Sequence, residues 1–311
     1  PRGHVDDGDV QVDCREDCVV TIDPDDAKDF DDAICIQRVS NDRWKMWVHI
    51  ADVSHYVKPG SLLDEEARKR GNSTYLVDRV IPMLPEELSN GICSLNPDVD
   101  RLALVCDMQI SASGNIQDFR FCEAVFRSHH RFTYNTVAGI LQYRDEALRA
   151  QHARLLQPLE TLYALYQALL DARQKRGAID FDTQETRIVY GEDKRIERIV
   201  PVQRNDAHRL IEECMLAANV CAATFLSEQK HPALYRVHQT PPPDKLLELK
   251  DFLRELDIQF RVQGDVQAKH FAKLLEQIRH RKDFNLLQTV ILRSMSQAMY
   301  GPANECNFGL A

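Results

Sequence analysis

The sequence predicts an α+β fold: a mixed or antiparallel sheet region in the N-terminal third, packed with a cluster of helices over the C-terminal two thirds. Up to about residue 133, apolar residues come in short β-prone runs divided by turn residues. Beyond that point they recur at helical spacing in longer segments. Strands come first and helices later, without the alternation that a doubly wound parallel sheet requires. At 311 residues and 44% hydrophobic, the chain is long enough for one large domain or two ordinary ones.

The elements follow in order. Val19–Ile22, Ala33–Val39 and Trp44–Ile50 read as strands, and Ser61–Arg70 as a short helix closed by Gly71. Arg101–Ile110 and Ala124–Phe132 are further strands, split by the turn Ser113-Gly114-Asn115. A leucine stripe from Leu155 to Leu170 predicts a helix that Gly177 ends. Asn205 or Asp206 caps the next helix, whose apolar face carries Leu210, Ile211, Cys214, Ala218 and Cys221. Asp244 opens another, and Asp265–Arg279 and Phe284–Tyr300 predict two more. Residues 1–18 read as an acidic lead-in, the end of an upstream linker, ahead of a single domain over 19–311.

Composition bounds the function. No window approaches the ~18 uninterrupted apolar residues of a membrane span, and residues 1–20 lack the basic and apolar regions of a secretory leader. Nine cysteines, an odd number with no C-x-x-C pair, argue against a disulfide scaffold or a structural zinc site. A cytoplasmic protein with no membrane partner is therefore expected. The net charge of −9 sits entirely in residues 1–32, which hold 12 Asp or Glu against 3 Lys or Arg; the remainder balances at 36 against 36. The acidity belongs to one segment and does not by itself exclude a nucleic-acid partner.

That segment is Thr21-Ile22-Asp23-Pro24-Asp25-Asp26-Ala27-Lys28-Asp29-Phe30-Asp31-Asp32-Ala33, with six carboxylates in positions 23–32 between two β-prone runs. Like charges ~4 Å apart repel by ~1–4 kcal/mol at surface-like dielectrics. A hard divalent cation removes that cost because it prefers anionic oxygen ligands. In an extended loop, residues two apart face the same way, so Asp29 and Asp31 can converge, with Asp23 and Asp32 closing the site. A solvated acidic loop is the plainer alternative, but Ile22, Phe30, Ala33 and Ile34 are interleaved and favour burial. An EF-hand loop would need Gly at position 28 and Glu at 34, where the chain has Lys28 and Ile34. The D-D-x-x-D pattern of terpenoid synthases belongs on a helix, which Pro24 and the β-runs oppose. Two-metal phosphoryl or phosphodiester chemistry fits best. No Gly-rich phosphate loop is present to favour a phosphotransferase or polymerase.

Thr21–Ala33 resembles the acidic signature of the RNase II/RNase R exoribonucleases, whose catalytic domain is called RNB. Further segments agree in order: Val48–Val57, Arg70–Tyr75, Val80–Pro85, Leu88–Leu95, Gly177–Phe181 and Ile211–Asn219, nearer RNase R than RNase II. The resemblance implies an RNB-like hydrolase that works on single-stranded RNA from the 3′ end, processively, and releases nucleoside 5′-monophosphates. It implies Mg²⁺, with Mn²⁺ as a substitute, held by Asp23, Asp29, Asp31 and Asp32, with Asp31 and Asp29 closest to the chemistry. Tyr75 and Phe181 match RNA-contacting aromatics; isolated aromatics are otherwise more often core. His49 and Asp52 read as a structural pair bracing the sheet, and Asp25 and Asp26 as solvated neighbours. The resemblance also carries association with the ribosome or RNA-decay machinery and a monomeric state as expectations.

The family pattern continues past Ala311 with an aromatic-Thr-Ser-Pro-Ile-Arg run and flanking RNA-binding barrels, so the sequence is expected to be a C-terminally incomplete piece, weakly active or inactive on its own. The competing expectation is a non-catalytic RNA-binding or adapter protein of the same fold; four retained aspartates argue for the enzyme, since a pure binder gains nothing from carboxylates that repel phosphate.

Overall fold

In the computed structural model, residues 12–76, 79–181, 186–191, 195–202, 204–262, 264–305 and 307–311 are described. β-branched and aromatic residues build the first strands: β1 (Val12–Asp23), β2 (Asp32–Ser40) and β3 (Arg43–Ala51). After them come α1 (Val53–Tyr56), α2 (Leu62–Arg70) and the short hairpin β4 (Thr74–Tyr75) and β5 (Val80–Ile81). The long pair β6 (Asp100–Ser111) and β7 (Ile116–Thr133) is joined at the Ser113-Gly114-Asn115 turn. The helices α3 (Tyr134–Leu141), α4 (Glu146–Gln151) and α5 (Leu156–Arg176) come next. The rest of the chain forms β8 (Thr186–Tyr190), β9 (Ile196–Pro201), α6 (Asp206–Glu228), β10 (Tyr235–Val237), α7 (Pro243–Glu255), α8 (Ala268–Ile278), α9 (Phe284–Arg293) and β11 (Met299–Gly301).

Two compact units emerge: Pro1–Leu169 with Asn205–Ala222, and Leu170–Arg204 with Ala223–Ala311. In the first, β1, β2, β3, β6 and β7 close into a barrel, antiparallel throughout except where β1 runs parallel to β7. Alanines align across three strands, Ala51 opposite Ala103 and Ala103 opposite Ala124. The small side chains leave interior room for the Phe30 and Phe126 rings, which pack there with Val19, Leu95 and Val105. The other face is covered too: Val20, Ile34 and Ile36 meet Leu159 and Leu162 of α5. The second unit buries Leu253 of α7, Phe271 and Leu274 of α8, and Leu287 and Ile291 of α9 in one cluster with Phe308.

The α+β expectation holds, with differences at element ends. β1 starts at Val12, well ahead of Val19, because Arg15 pairs with Asp13 and Asp100 and keeps the charged stretch extended beside β7. The last predicted helix stops at Arg293, and Met299–Gly301 leaves it to pair with β10. α6 is long and apolar enough to cross a membrane by length and composition. Its residues Leu210, Ile211, Cys214, Ala217 and Cys221 are buried, which is the pattern of a core helix. The predicted stop and cap at Gly71 and Asn205 are in place: Gly71 ends α2 at φ +76°, and the Asn205 side chain accepts from the Ala207 amide. Ser61, read as the first helical residue, is instead the cap of α2, its hydroxyl accepting from the Asp64 amide, and Asp244 lies in the first turn of α7, whose cap is Pro242.

Gly114 carries the β6–β7 turn at φ +76°, and a Cβ there would run into the Ala168 carbonyl of α5. Gly114→Ala is expected to lower stability by about 2–4 kcal/mol, measured by chemical denaturation, with the loss far exceeding that of Gly60→Ala, where the space is open.

Candidate metal centre

Antiparallel pairing of β1 with β2 dictates the site. Asp23 ends one strand and Asp32 starts the next, so both lie at the same end of the barrel. The loop between them is pinned from inside. The Phe30 ring is buried in the barrel core, and its backbone is held in both directions: its amide donates to Ser94 Oγ (3.0 Å) and its carbonyl accepts from the Leu95 amide (2.9 Å). Ser94 Oγ also donates to the Lys28 carbonyl (2.9 Å), and the Asp31 carbonyl accepts from the Ala51 amide (2.9 Å). Arg101 of β6 steadies this support by donating through Nε to the Ser94 carbonyl (2.8 Å). With Phe30 turned inward, the alternation of an extended chain turns Asp29 and Asp31 outward, and both are exposed.

The electrostatics record the crowding. Asp23 is only 8% exposed; burial first, then the charge of Asp32, push its carboxyl up to about 7, against the pull of Thr21 and Arg131. The Thr21 hydroxyl is near enough to oppose the shift, yet no hydrogen bond of ordinary geometry joins it to Asp23, and Asp23 Oδ2 is buried without a partner. Burial and then Asp31 push Asp32 up to about 6. Asp31 is raised as well, by partial desolvation and then by Asp29. The four aspartates thus form a run of interacting neighbours. Among the described residues, however, no three His, Cys, Asp or Glu side chains close tightly enough round one point to hold an ion as they stand.

The residues present fit a hard divalent cation. The donor set is all carboxylate, and the orphaned buried oxygen of Asp23 is the kind of atom that an oxygen-seeking ion satisfies. Two clefts of about 580 and 570 Å³ lie in the second unit and include none of the four aspartates. Ligand charge, rather than volume, marks an ion site.

Several side chains here were not anticipated from the sequence. Tyr134, at the start of α3, stacks on His208 at 4.0 Å, and its phenol is pushed up to about 12 by burial and then by Asp32, Asp23 and Glu212. Cys214 on α6 is raised by burial and then by Asp32. The acid pair Glu212-Glu213 inside an otherwise apolar stripe was the available signal, and Glu213 is indeed buried. The expected His49–Asp52 brace does not form. Asp52 caps α1 instead, accepting from the His55 amide (3.0 Å) and Ser54 Oγ (2.6 Å). His49 lies inside the barrel 4.7 Å from Phe126, and burial depresses it to about 4. The Ala33 and Trp47 backbones lie close enough to oppose that shift, but neither ring nitrogen makes a hydrogen bond of ordinary geometry. Asp25 is more than a solvated neighbour, since its Oδ2 accepts from Asn135 Nδ2 at 2.8 Å. Tyr75 on β4 is 72% exposed, so its ring is not core. Phe181 belongs to the second unit, where it packs half-buried against the helical cluster.

A closed five-stranded barrel with an acidic loop at one end, and a second unit of helices and short strand pairs, define an α+β protein. The RNB domain profile matches residues 11–311, and the chain belongs to that family. It is 49% identical over 301 residues to ribonuclease R of Vibrio parahaemolyticus and 48% identical over 301 residues to that of Escherichia coli K12, matching 97% of this chain in each case. It spans 36–37% of those relatives' lengths. Mycoplasma genitalium RNase R, solved with ribose-methylated single-stranded RNA, superposes with a TM-score of 0.89 at 31% identity, over 96% of this chain and 47% of that one.

The pH dependence of metal-free stability follows from Asp23. Its folded pKa of about 7 lies above the ordinary 3.8, so its favourable contribution is complete below pH 3.8 and is lost as pH climbs through 7. His49 acts in the opposite direction: depressed from 6.5 to about 4, it contributes fully above pH 6.5 and loses that contribution as pH falls toward 4. In chelator at pH 8, Asp23→Asn is expected to be more stable than the parent chain by about 1–3 kcal/mol, with the gain disappearing near pH 4. Denaturant titrations across pH measure it.

Proposed function

We propose that this chain is the catalytic domain of a 3′-to-5′ hydrolytic exoribonuclease that degrades single-stranded RNA to nucleoside 5′-monophosphates with Mg²⁺, for which Mn²⁺ can substitute. The observation that carries the reading is the buried, unpartnered Asp23 carboxylate oxygen beside Asp32 at the mouth of the barrel, in a chain of the RNB family. RNA as partner is supported by the RNA-bound structure of its M. genitalium relative.

Asp23 and Asp32, the more buried pair, would hold the more firmly bound ion. When bound, the cation lowers the pKa of a water and neutralises charge developing on the phosphate oxygens. Asp31 and Asp29, turned outward beside it, would orient the attacking water and take up its proton as the bond from phosphorus to the 3′-oxygen of the preceding nucleotide breaks. The exposed Tyr75 ring offers a face to the terminal bases, and Phe181 would clamp the end of the base stack, both by stacking that is blind to sequence.

Two measurements test this. Because the ligands must be deprotonated, Mg²⁺ is expected to raise the melting temperature more at pH 8 than at pH 5, over the range in which Asp23 and Asp32 ionise at about 7 and 6. An unchanged midpoint at both values would favour an RNA-binding adapter. In a protein carrying this chain at the full length of its relatives, 5′-labelled single-stranded RNA is expected to shorten stepwise from its 3′ end. Asp31→Asn is expected to slow that shortening by about 10²–10⁴-fold while RNA binding is retained. Internal cleavage products, or undiminished shortening by the variant, would contradict the assignment.

A further inference from the structure

We propose that Arg131 is the positioning residue of the metal centre, its guanidinium fixing the turn that follows Asp23 so that the carboxylates meet a cation in a preset arrangement. The inference rests on the metal-binding reading above and adds to it a residue that is neither acidic nor a ligand.

Arg131 lies on β7 directly opposite Thr21, two residues before Thr133, which faces Asp23. From there Nη2 donates to two successive carbonyls of the loop, Pro24 (2.8 Å) and Asp25 (3.1 Å). The Pro24 carbonyl also accepts from the Ala27 amide (3.3 Å), so one oxygen ties the turn to itself and to the barrel wall. Asn135, four residues after Arg131 at the start of α3, adds the bond to Asp25 Oδ2. The guanidinium carbon lies 5.0 Å from the centre of the Phe30 ring, the same ring that anchors the other half of the loop. The acidic loop is thus held at two ends by different elements, Ser94 under residues 28–30 and Arg131 with Asn135 over residues 24–25.

The placement is specific: Nη2 takes two loop carbonyls and the guanidinium lies over Phe30, while Nε is left buried without a hydrogen-bond partner. A cation among crowded aspartates could serve as counter-charge alone, but Arg131 spends Nη2 on backbone carbonyls rather than carboxylates. The geometry serves loop shape. Mg²⁺ demands oxygens at ~2.0–2.1 Å in near-octahedral array, so a small drift of the turn displaces Asp23 relative to Asp29, Asp31 and Asp32. A planar fork that also rests on a ring suits this work, and a lysine on the same stem reproduces neither property.

The test separates loop shape from charge and from general stability. Mn²⁺ alone is titrated by electron paramagnetic resonance into the chain and its Arg131→Met, Arg131→Lys and Asn135→Ala variants, and amide exchange is followed in chelator. Arg131→Met is expected to weaken Mn²⁺ binding by about 10–100-fold, and Arg131→Lys nearly as much although it keeps the charge. Exchange of the Ala27 amide is expected to accelerate by about tenfold or more in both and in Asn135→Ala, while barrel amides such as those of Met46 and Met108 keep their protection. Full recovery of Mn²⁺ affinity by Arg131→Lys, or weaker binding with Ala27 exchange unchanged, would overturn positioning in favour of charge. Uniformly faster exchange across the barrel would overturn it in favour of a merely structural role. If the unmodified chain takes up no Mn²⁺, the metal reading above fails on its own. Loop-confined exchange would then still support Arg131 as the loop anchor, and its absence would overturn that role.

Discussion

The first unit is organised by a conflict between burial and repulsion at one end of its barrel. Phe30 must enter the core, and that requirement draws the acidic loop down onto Ser94 and Leu95. The same descent brings Asp23 and Asp32 into a low-dielectric rim where neither is easily ionised. A loop free to float would relieve the repulsion by spreading into water. This one cannot, because its apolar residue is committed to the interior. The strain that results, an ionisable group held where its charge is disfavoured, is what a divalent cation is suited to relieve.

The barrel provides the rigidity this requires. Its alanine row across β3, β6 and β7 admits the two phenylalanines, and closure by the parallel β1–β7 pair leaves no free edge beneath the site. α3, which follows β7 directly, brings Tyr134 and Asn135 to the acid rim, and α6 brings Glu212 and Cys214. An acidic segment of the chain becomes a site only because strands and helices distant in sequence surround it.

Much of this was legible in the sequence. The acidic run with its interleaved apolar residues announced both the loop and the inward turn of Phe30, because alternation in an extended chain depends only on neighbours. The helix stop at Gly71 and the cap at Asn205 were legible for the same reason. The His49–Asp52 pairing was misread because spacing says nothing about which partner wins. Asp52 is the N-cap of α1 and gives its carboxylate to the His55 amide three residues on, while His49 lies inside the barrel against Phe126. The C-terminal end of the last helix was misplaced because pairing of β11 with β10 is a long-range preference that overrides local periodicity.

By itself, the sequence determined the ingredients: the family, the order of strands and helices, and four aspartates crowded between two β-runs. These depend on composition and on neighbours along the chain. Only the tertiary structure decided that Asp23 would be buried while Asp29 and Asp31 remained open to solvent. It alone brought Arg131 and Asn135, more than a hundred positions downstream, to hold the turn at Pro24 and Asp25. Burial and hydrogen bonding across such separations arise from barrel closure, a property of the whole unit that no local pattern records.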